Sequence, residues 1–244
     1  MRRIFIISLG LMASLFSQTF SGAINETLIY TAGFRLFSAG ESTMEASLSS
    51  SEDERDTLRI SSYTETYPFF DTFYRIRDRV DLWLNPVTYE VQKIVRDIHE
   101  GRYELQETVL VDREAGFMYT RKDTLPLVGR IYDPISVIYY LRQLDLKVGD
   151  EIQLTIFDGR RLRAIKIAVR KKEILEVPAG KFECLVLKPV PLDDTKLTSV
   201  DGLLRLWLAD DDFRTPIRVE QRSNIGTMVL RLIQSDRRED SREE

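Results

Sequence analysis

Arginines recur at every second position in one segment of the chain, the spacing that places side chains on one face of a β-strand. Arg75, Arg77 and Arg79 have this spacing, with Asp78 and Asp81 nearby. Guanidinium groups bind carboxylates and phosphates through paired hydrogen bonds. The three arginines are therefore candidates for binding an anionic ligand. The alternative is a solvated strand face on which they meet only water and neighbouring carboxylates.

A single segment of the chain has helical rather than strand spacing. Asp133 is a helix-capping residue, and Pro134 is favoured at the first helical position. Tyr140 and Leu141 fall on the apolar face of that segment. We predict one short helix near residues 134–145, packed on a sheet or filling a curved one.

Two residues of this helix are further ligand-binding candidates. Tyr140 offers an aromatic ring with a polar tip, and Arg142 borders the packed face of the helix. Arg142 either pairs with a carboxylate of the sheet, which is a structural role, or faces a cavity and contacts a ligand there. The structural role is the favoured interpretation, because partly buried arginines are usually paired.

Aromatic residues are concentrated just before the arginine segment. Such a cluster either packs in the core or lines a groove for an apolar ligand, and core packing is the commoner outcome. The residues concerned are Tyr67, Phe69, Phe70, Phe73 and Tyr74.

Catalytic chemistry has little support in the composition. One histidine and one cysteine exclude zinc sites and clusters built from several such ligands. No nucleophile elbow, phosphate-binding loop or zinc-protease motif occurs. His99 is predicted to be an exposed residue in a turn at 97–102, and Cys184 a buried thiol in an apolar strand. We therefore predict no catalytic residue, no metal and no cofactor.

Acidic residues leave one alternative open for a cation. Asp210, Asp211 and Asp212 would need help from Asp193 and Asp194 to ligate calcium. The spacing matches no calcium-binding loop, so solvated acidic turns are the favoured interpretation.

The overall charge argues against a nucleic-acid partner. Thirty-five basic residues face 39 acidic ones, which gives a net charge of -4. Such a field does not favour approach to a phosphate backbone.

The N-terminus has the features of a secretory signal peptide. Arg2 and Arg3 precede an apolar run at 4–16, and small residues end at Ala23. We predict that residues 1–23 are cleaved and that the protein is exported to the periplasm. An uncleaved membrane anchor is the alternative, although the apolar run is shorter than the roughly 20 residues that span a bilayer.

After residue 23 the chain alternates apolar and polar residues, so that its dominant hydrophobic period is two residues. Alternating apolar residues separated by short turns predict antiparallel hairpins, because parallel strands need long crossovers. Asp158-Gly159 and Pro178-Ala179-Gly180 are the clearest hairpin signals. The predicted fold class is mainly β: a curved antiparallel sheet or open barrel of meandering hairpins with one short helix packed on it.

These strands are predicted to form one domain at residues 24–234. Its two β-rich halves, 24–130 and 146–234, flank the helix without a Gly/Ser or Pro linker between them. The final segment, 235–244, consists almost entirely of charged residues and is predicted to be a disordered tail.

Several short motifs follow one another along the chain: Asp133-Pro134-Ile135-Ser136, Val177-Pro178-Ala179-Gly180, Trp207-Leu208-Ala209-Asp210-Asp211 and Thr215-Pro216-Ile217. In this order they resemble the DUF3108 family of exported bacterial proteins of unknown function. Ala209 departs from the serine usual in the family. The resemblance implies a periplasmic, mainly β protein and assigns no activity. The positions that carry it include Asp133, Pro134, Ser136, Tyr139, Gly180, Asp210, Asp211 and Pro216.

The sequence therefore favours binding over catalysis. The leading hypothesis is a non-enzymatic periplasmic protein that binds a lipid or another envelope component, including an anionic one. The alternative is an envelope assembly or scaffold module that binds a protein partner through exposed strand edges or the charged tail. A continuous apolar hollow of several hundred cubic ångströms would favour the first, and a filled sheet with an exposed apolar patch would favour the second.

Overall fold

A computed structural model of the protein describes residues 25–34, 37–51, 54–190, 192, 204–223 and 226–238. The predicted signal peptide, Asp193 and Asp194, and residues 239–244 of the predicted tail lie outside these ranges.

The described chain is a succession of strands interrupted by two helices. The strands are β1 (Asn25–Gly33), β2 (Ser38–Ser51), β3 (Glu54–Thr66), β4 (Arg77–Leu84), β5 (Val91–Glu100), β6 (Tyr103–Asp112), β7 (Phe117–Tyr119), β8 (Thr124–Pro126), β9 (Ile131–Tyr132), β10 (Glu151–Phe157), β11 (Leu162–Val177), β12 (Gly180–Val190), β13 (Leu204–Ala209), β14 (Pro216–Ser223) and β15 (Gly226–Arg238). The helices are α1 (Pro68–Asp71) and α2 (Pro134–Arg142).

All fifteen strands belong to one sheet, and its order explains its shape. The sheet runs β8-β7-β6-β5-β4-β3-β2-β1-β15-β14-β13-β12-β11-β10-β9, so the first and last strands pair in its middle. The two edge strands, β8 and β9, are consecutive in the chain. Only five residue steps separate Pro126 from Ile131, which limits the gap between their ends to about 18 Å. The sheet must therefore curl until its edges approach each other.

The predicted fold class is confirmed: the protein is mainly β, with antiparallel pairing almost throughout. β9 and β10 are the exception, because they pair in parallel and α2 forms the crossover between them. A parallel pair needs such a crossover, which alternation alone did not reveal.

Helix α2 lies within the curl and shares its main hydrophobic cluster with both halves of the sheet. Ile138 and Leu141 pack in one cluster with Leu82 and Ile94 from one side and Leu187 from the other. The helix begins as predicted, with Asp133 and Ser136 forming a reciprocal capping box. It ends at Arg142, three residues before the predicted boundary.

Three local predictions need correction. The loop after β10 contains four residues, 158–161, rather than the two expected from Asp158-Gly159. His99 is a half-buried residue of β5 and not a turn residue, because the turn is confined to Gly101 and Arg102. The predicted disordered tail is wrong for residues 235–238, which extend β15, since Arg237 pairs there with the buried Glu26 of β1.

Candidate functional site

An apolar pocket opens where β1 and β2 meet the segment around α1. Its volume is about 440 Å³, within the range of small-molecule sites. Small residues and aromatic rings make up most of its wall. The lining residues are Ala32, Gly33, Phe34, Phe37, Ala39, Gly40, Thr64, Glu65, Thr66, Phe70, Phe73, Tyr74, Ile76 and Met228.

Two glycines permit the close backbone packing of this wall. A Cβ on Gly40 would lie 2.0 Å from the carbonyl oxygen of Glu65, and one on Gly33 would lie 2.3 Å from that of Phe37. Neither contact is tolerable, so both positions require glycine. With Ala32 and Ala39 beside them, these residues leave the concave face without large side chains at this end of β1 and β2.

The rim of the pocket is a cluster of aromatic rings. Phe37 stacks on Phe70 with centroids 5.7 Å apart, and Phe69 contacts both Phe70 and Phe73 edge-on. Phe69 is 70% exposed and Phe73 is 75% exposed. Contiguous exposed apolar surface of this kind marks interaction sites in soluble proteins.

Helix α1, which carries Phe69 and Phe70, is held by Arg77. The Arg77 guanidinium donates to both carboxylate oxygens of Asp71, at 3.1 and 2.7 Å, and Thr66 also donates to Asp71. These hydrogen bonds, from Arg77 above all, lower the pKa of Asp71. Arg77 therefore positions the aromatic rim and is not free to bind an anionic ligand.

A second, smaller cavity of about 180 Å³ lies beneath the pocket, between α2 and the sheet. Thr64 and Met228 line both spaces, so the two are adjacent. Pro134 and Ile138 of α2 form one side of the inner cavity, and Asp78 of β4 lies in its wall.

Two acidic side chains meet in this inner cavity. Asp78 and Glu100 hydrogen-bond to each other, and the backbone N–H of His99 donates to Asp78 Oδ1 at 3.0 Å. Burial, followed by the charge of Glu100 and the hydrogen bond to it, raises the pKa of Asp78 to about 7. Asp78 therefore takes up a proton near neutral pH.

The other predicted arginines do not line either space. Arg79 lies on the outer face of β4 and donates from Nε to Asp81 at 2.7 Å. Arg75 precedes the strand and is exposed. A shared anion-binding face is therefore absent from this part of the described chain, because Arg77 and Arg79 pair with carboxylates of the protein itself.

Arg142 is buried and has a structural partner. Its guanidinium donates to both oxygens of Glu26, at 2.7 and 2.9 Å, and Arg237 donates to the same carboxylate at 2.8 Å. The ring of Tyr140 lies 4.7 Å from that of Tyr132 and packs against the main cluster. Both residues thus secure α2 and lie outside the two cavities.

The comparison with protein families agrees with the motif pattern. The family model described as "Protein of unknown function (DUF3108)" matches residues 29–233. The chain belongs to the DUF3108 family. No curated protein is significantly similar to it in sequence.

One solved structure confirms the architecture of this DUF3108 protein. It is similar to a β-barrel-like protein of the domain of unknown function DUF1849 from Brucella abortus, with a TM-score of 0.57 and 13% identity, over 89% of this chain and 99% of that one. A DUF1089 family protein from Pseudomonas aeruginosa has 12% identity and a TM-score of 0.40, over 71% of this chain and 87% of that one. At these identities the first likeness shows the fold alone.

Most signature positions of the DUF3108 resemblance build the scaffold. Asp133 and Ser136 cap α2, Pro134 is its first residue, and Tyr139 is buried beneath the guanidinium of Arg142. The remaining positions support turns and strand ends in the C-terminal half. Gly180 closes the β11–β12 hairpin at a φ of 132°, and Asp210 pairs with Lys172. The Asp211 carboxylate accepts hydrogen bonds from the backbone N–H groups of Phe213 and Arg214. The backbone carbonyl of Pro216 accepts a hydrogen bond from the Tyr30 hydroxyl.

Other chemically reactive residues of the DUF3108 protein lie apart from the cavities. Cys184 is buried in β12, where burial raises the pKa of its thiol to about 12. Among the described residues, no group of three or more His, Cys, Asp or Glu side chains is arranged to hold a metal ion. Within the same ranges, neither helix has the length and apolar character needed to cross a bilayer.

Sequence reasoning missed the two residues that give the inner cavity its polarity. Asp78 was noted only as a neighbour of the arginines, and Glu100 received no role. Each side chain faces the concave side of the sheet because alternate residues of a strand point to opposite faces. The contact between the two depends on the register in which β4 and β5 pair. The aromatic cluster was identified, although a groove was judged less common than core packing.

Proposed function

We propose that this protein is an exported, non-enzymatic binding protein of the periplasm that holds a lipid or a similar apolar ligand. One observation carries the proposal: the 440 Å³ pocket, whose rim consists of exposed phenylalanines. Burial of an apolar chain there would remove both its own surface and that of the rings from water.

The chemistry of the pocket supports binding rather than turnover. Among its described lining residues Glu65 alone carries a charge, and neither His99 nor Cys184 lines either cavity. The acid pair of the inner cavity has hydroxyl groups beside it, but no histidine, cysteine or lysine is among the described residues that line this cavity. An apolar ligand fits such a site by shape and burial alone.

A protein-docking scaffold is the alternative. It would use the edge strands β8 and β9 or the aromatic rim. The hollow favours the ligand-binding proposal, because a scaffold needs an exposed patch but no cavity behind it.

Ligand binding can be tested with the purified protein in two ways. Native mass spectrometry, combined with solvent extraction, should show a co-purifying lipid. Titration with the neutral dye N-phenylnaphthylamine should give saturable fluorescence that Phe70→Ala weakens by about tenfold, since Phe70 stacks with Phe37 at the rim.

Phe117→Ala is the matched control. Phe117 is an aromatic residue of β7 that is also partly exposed but lines neither cavity. It should leave dye affinity unchanged. No saturable dye binding by the wild type, or equal losses in both variants, would contradict the proposed pocket.

Export has its own test. The proposal rests on Arg2, Arg3 and the apolar run at 4–16, so protein recovered from the periplasm should begin near Ile24. An intact Met1 on that protein would instead support the uncleaved anchor.

A further inference from the structure

The inner cavity gives the binding site a second chemical character. Its wall includes the hydroxyl groups of Ser42, Ser62 and Thr64 and the carboxyl groups of Asp78 and Glu100. The outer pocket, in contrast, is apolar apart from Thr64, Glu65, Thr66 and the hydroxyl of Tyr74. The two spaces are adjacent, with Thr64 and Met228 between them, so a molecule that reached both would contact an apolar section and a polar one.

From this juxtaposition we propose that the ligand is an amphiphile whose head group is an ammonium or a hydroxyl group, which donates hydrogen bonds. The head group enters the inner cavity, and the apolar chain lies in the outer pocket. The inference rests on the proposed lipid-binding function and adds the head-group class and the orientation. It replaces the anionic ligand that the arginine spacing suggested.

The charges around the two cavities decide the sign of the preferred head group. Among the described residues that line them there is no lysine, arginine or histidine. A carboxylate or phosphate head would therefore meet two carboxyl groups with no cation to offset the repulsion. An ammonium would find charged acceptors, and a hydroxyl would find a hydrogen-bond acceptor in either protonation state of the pair.

The hydrogen bonds already present leave acceptor capacity in the cavity. Asp78 Oδ1 accepts the backbone N–H of His99, and Ser42 and Thr64 share one hydrogen bond at 2.8 Å. A carboxylate has about four acceptor sites on its two oxygens, so one N–H and one contact with Glu100 do not saturate Asp78. A head group that donates hydrogen bonds would fill the remaining acceptor sites of Asp78.

The protonation state of Asp78 should change the affinity for an ammonium head group relative to a hydroxyl head group. The groups that face Asp78 are Glu100 and His99 from β5, Thr64 from β3, and the nearby Tyr74. His99 acts on Asp78 through its backbone N–H and through the charge of its imidazole. Burial places the pKa of Asp78 near 7, so the pair gains negative charge between pH 6 and pH 8. Affinity for an ammonium should rise over that interval, and affinity for a hydroxyl should change little.

The test displaces N-phenylnaphthylamine with three amphiphiles of equal chain length, namely dodecylammonium, dodecanol and dodecanoate. At pH 8 we expect dodecylammonium to bind about tenfold more tightly than dodecanoate, with dodecanol between them. Asp78→Asn and, separately, Glu100→Gln should reduce this ratio toward one while leaving dodecanol affinity unchanged. Glu176→Gln, an exposed position on β11 that lines neither cavity, should leave the ratio as it is.

The outcomes separate the two proposals. If the wild type does not bind the dye saturably, ligand binding itself is contradicted. If the dye binds but none of the three compounds displaces it, the amphiphile inference is wrong. If all three bind equally, or if dodecanoate binds best, lipid binding stands and the head-group inference is wrong. The inference is also wrong if the ratio is large but survives both Asp78→Asn and Glu100→Gln.

Discussion

The two ends of the concave face are filled in opposite ways. At one end of β1, Glu26 is buried and clamped by Arg142 of α2 through two hydrogen bonds. At the other end, about 23 Å along the strand, Ala32 and Gly33 face an open pocket. Curvature supplies volume along the whole face, and the local side chains decide whether it is packed or left open. The packed end holds the fold together, and the open end is available for a ligand.

A similar contrast separates two acidic residues of β4. Asp78 faces inward, where burial raises its pKa to about 7. Asp81 lies on the outer face; burial disfavours its charged form, but hydrogen bonds from Arg79, Ser61 and Arg59 outweigh this and lower its pKa to about 2. Three residues apart, one carboxyl resists ionisation and the other is held ionised.

The largest predicted effect is at the packed end. Arg142→Ala leaves Glu26 buried with Arg237 as its remaining cationic partner, so we expect a loss of about 3 to 5 kcal/mol in the free energy of unfolding. Arg142→Lys should also lose stability, because lysine lacks the planar fork. Urea denaturation measures both. Dye binding by the folded Arg142→Lys protein should match the wild type, and a selective loss of binding would instead place Arg142 at the ligand.

The hydrophobic face of α2 gives the next effect. Leu141 is 1% exposed within the main cluster, so Leu141→Ala should cost roughly 2 to 5 kcal/mol. Leu110→Ala is the control, since Leu110 is about half exposed on β6. A loss below about 0.5 kcal/mol for Leu141→Ala would show that the helix does not pack as described.

The acidic residues of β4 predict opposite responses to pH. Folding raises the pKa of Asp78 from 3.8, so its ionisation costs stability increasingly as pH rises from about 4 to 7. Asp78→Asn should therefore stabilise the protein at pH 8, by an amount on the order of 1 kcal/mol after solvent screening, and have little such effect near pH 4.

Asp81→Asn is the matched comparison on the other face. Its lowered pKa contributes stability above about pH 4 that is lost as pH falls toward 2. This variant should be destabilised at pH 8 and approach the wild type near pH 2. Thermal melting across the pH range measures both variants, and changes of the same sign at pH 8 would refute the assignment of faces.

The smallest change in stability is expected at the open rim. Phe69 is largely exposed, so Phe69→Ser should alter the free energy of unfolding by less than about 0.5 kcal/mol. The same variant should weaken dye binding if the rim contacts the ligand. A stability loss comparable to that of Leu141→Ala would mean that the aromatic cluster is core, as the commoner interpretation of such clusters holds.

Local patterns were sufficient for much of the fold. Alternation at period two identified the antiparallel sheet, the Asp133 cap and Pro134 marked the start of α2, and Pro178-Ala179-Gly180 marked the β11–β12 hairpin. Each depends on residues close together in the chain. The misplacement of His99 had the same origin, because a polar residue next to Gly101 has the composition of a turn while its backbone still pairs with Glu104 in the ladder.

What the sequence by itself determined is the class of the protein: its strand content, the one substantial helix of its described part, and its family. Only the tertiary structure decided which arginines pair with carboxylates of the protein itself. It also decided that Asp78 and Glu100 share a cavity and that the aromatic rings line a pocket instead of filling the core. The physical reason is the range of the interactions. Strand phase follows from neighbouring side chains, whereas register, curvature and the pairing of Glu26 with Arg142, 116 residues away, arise only when the whole sheet closes around its helix.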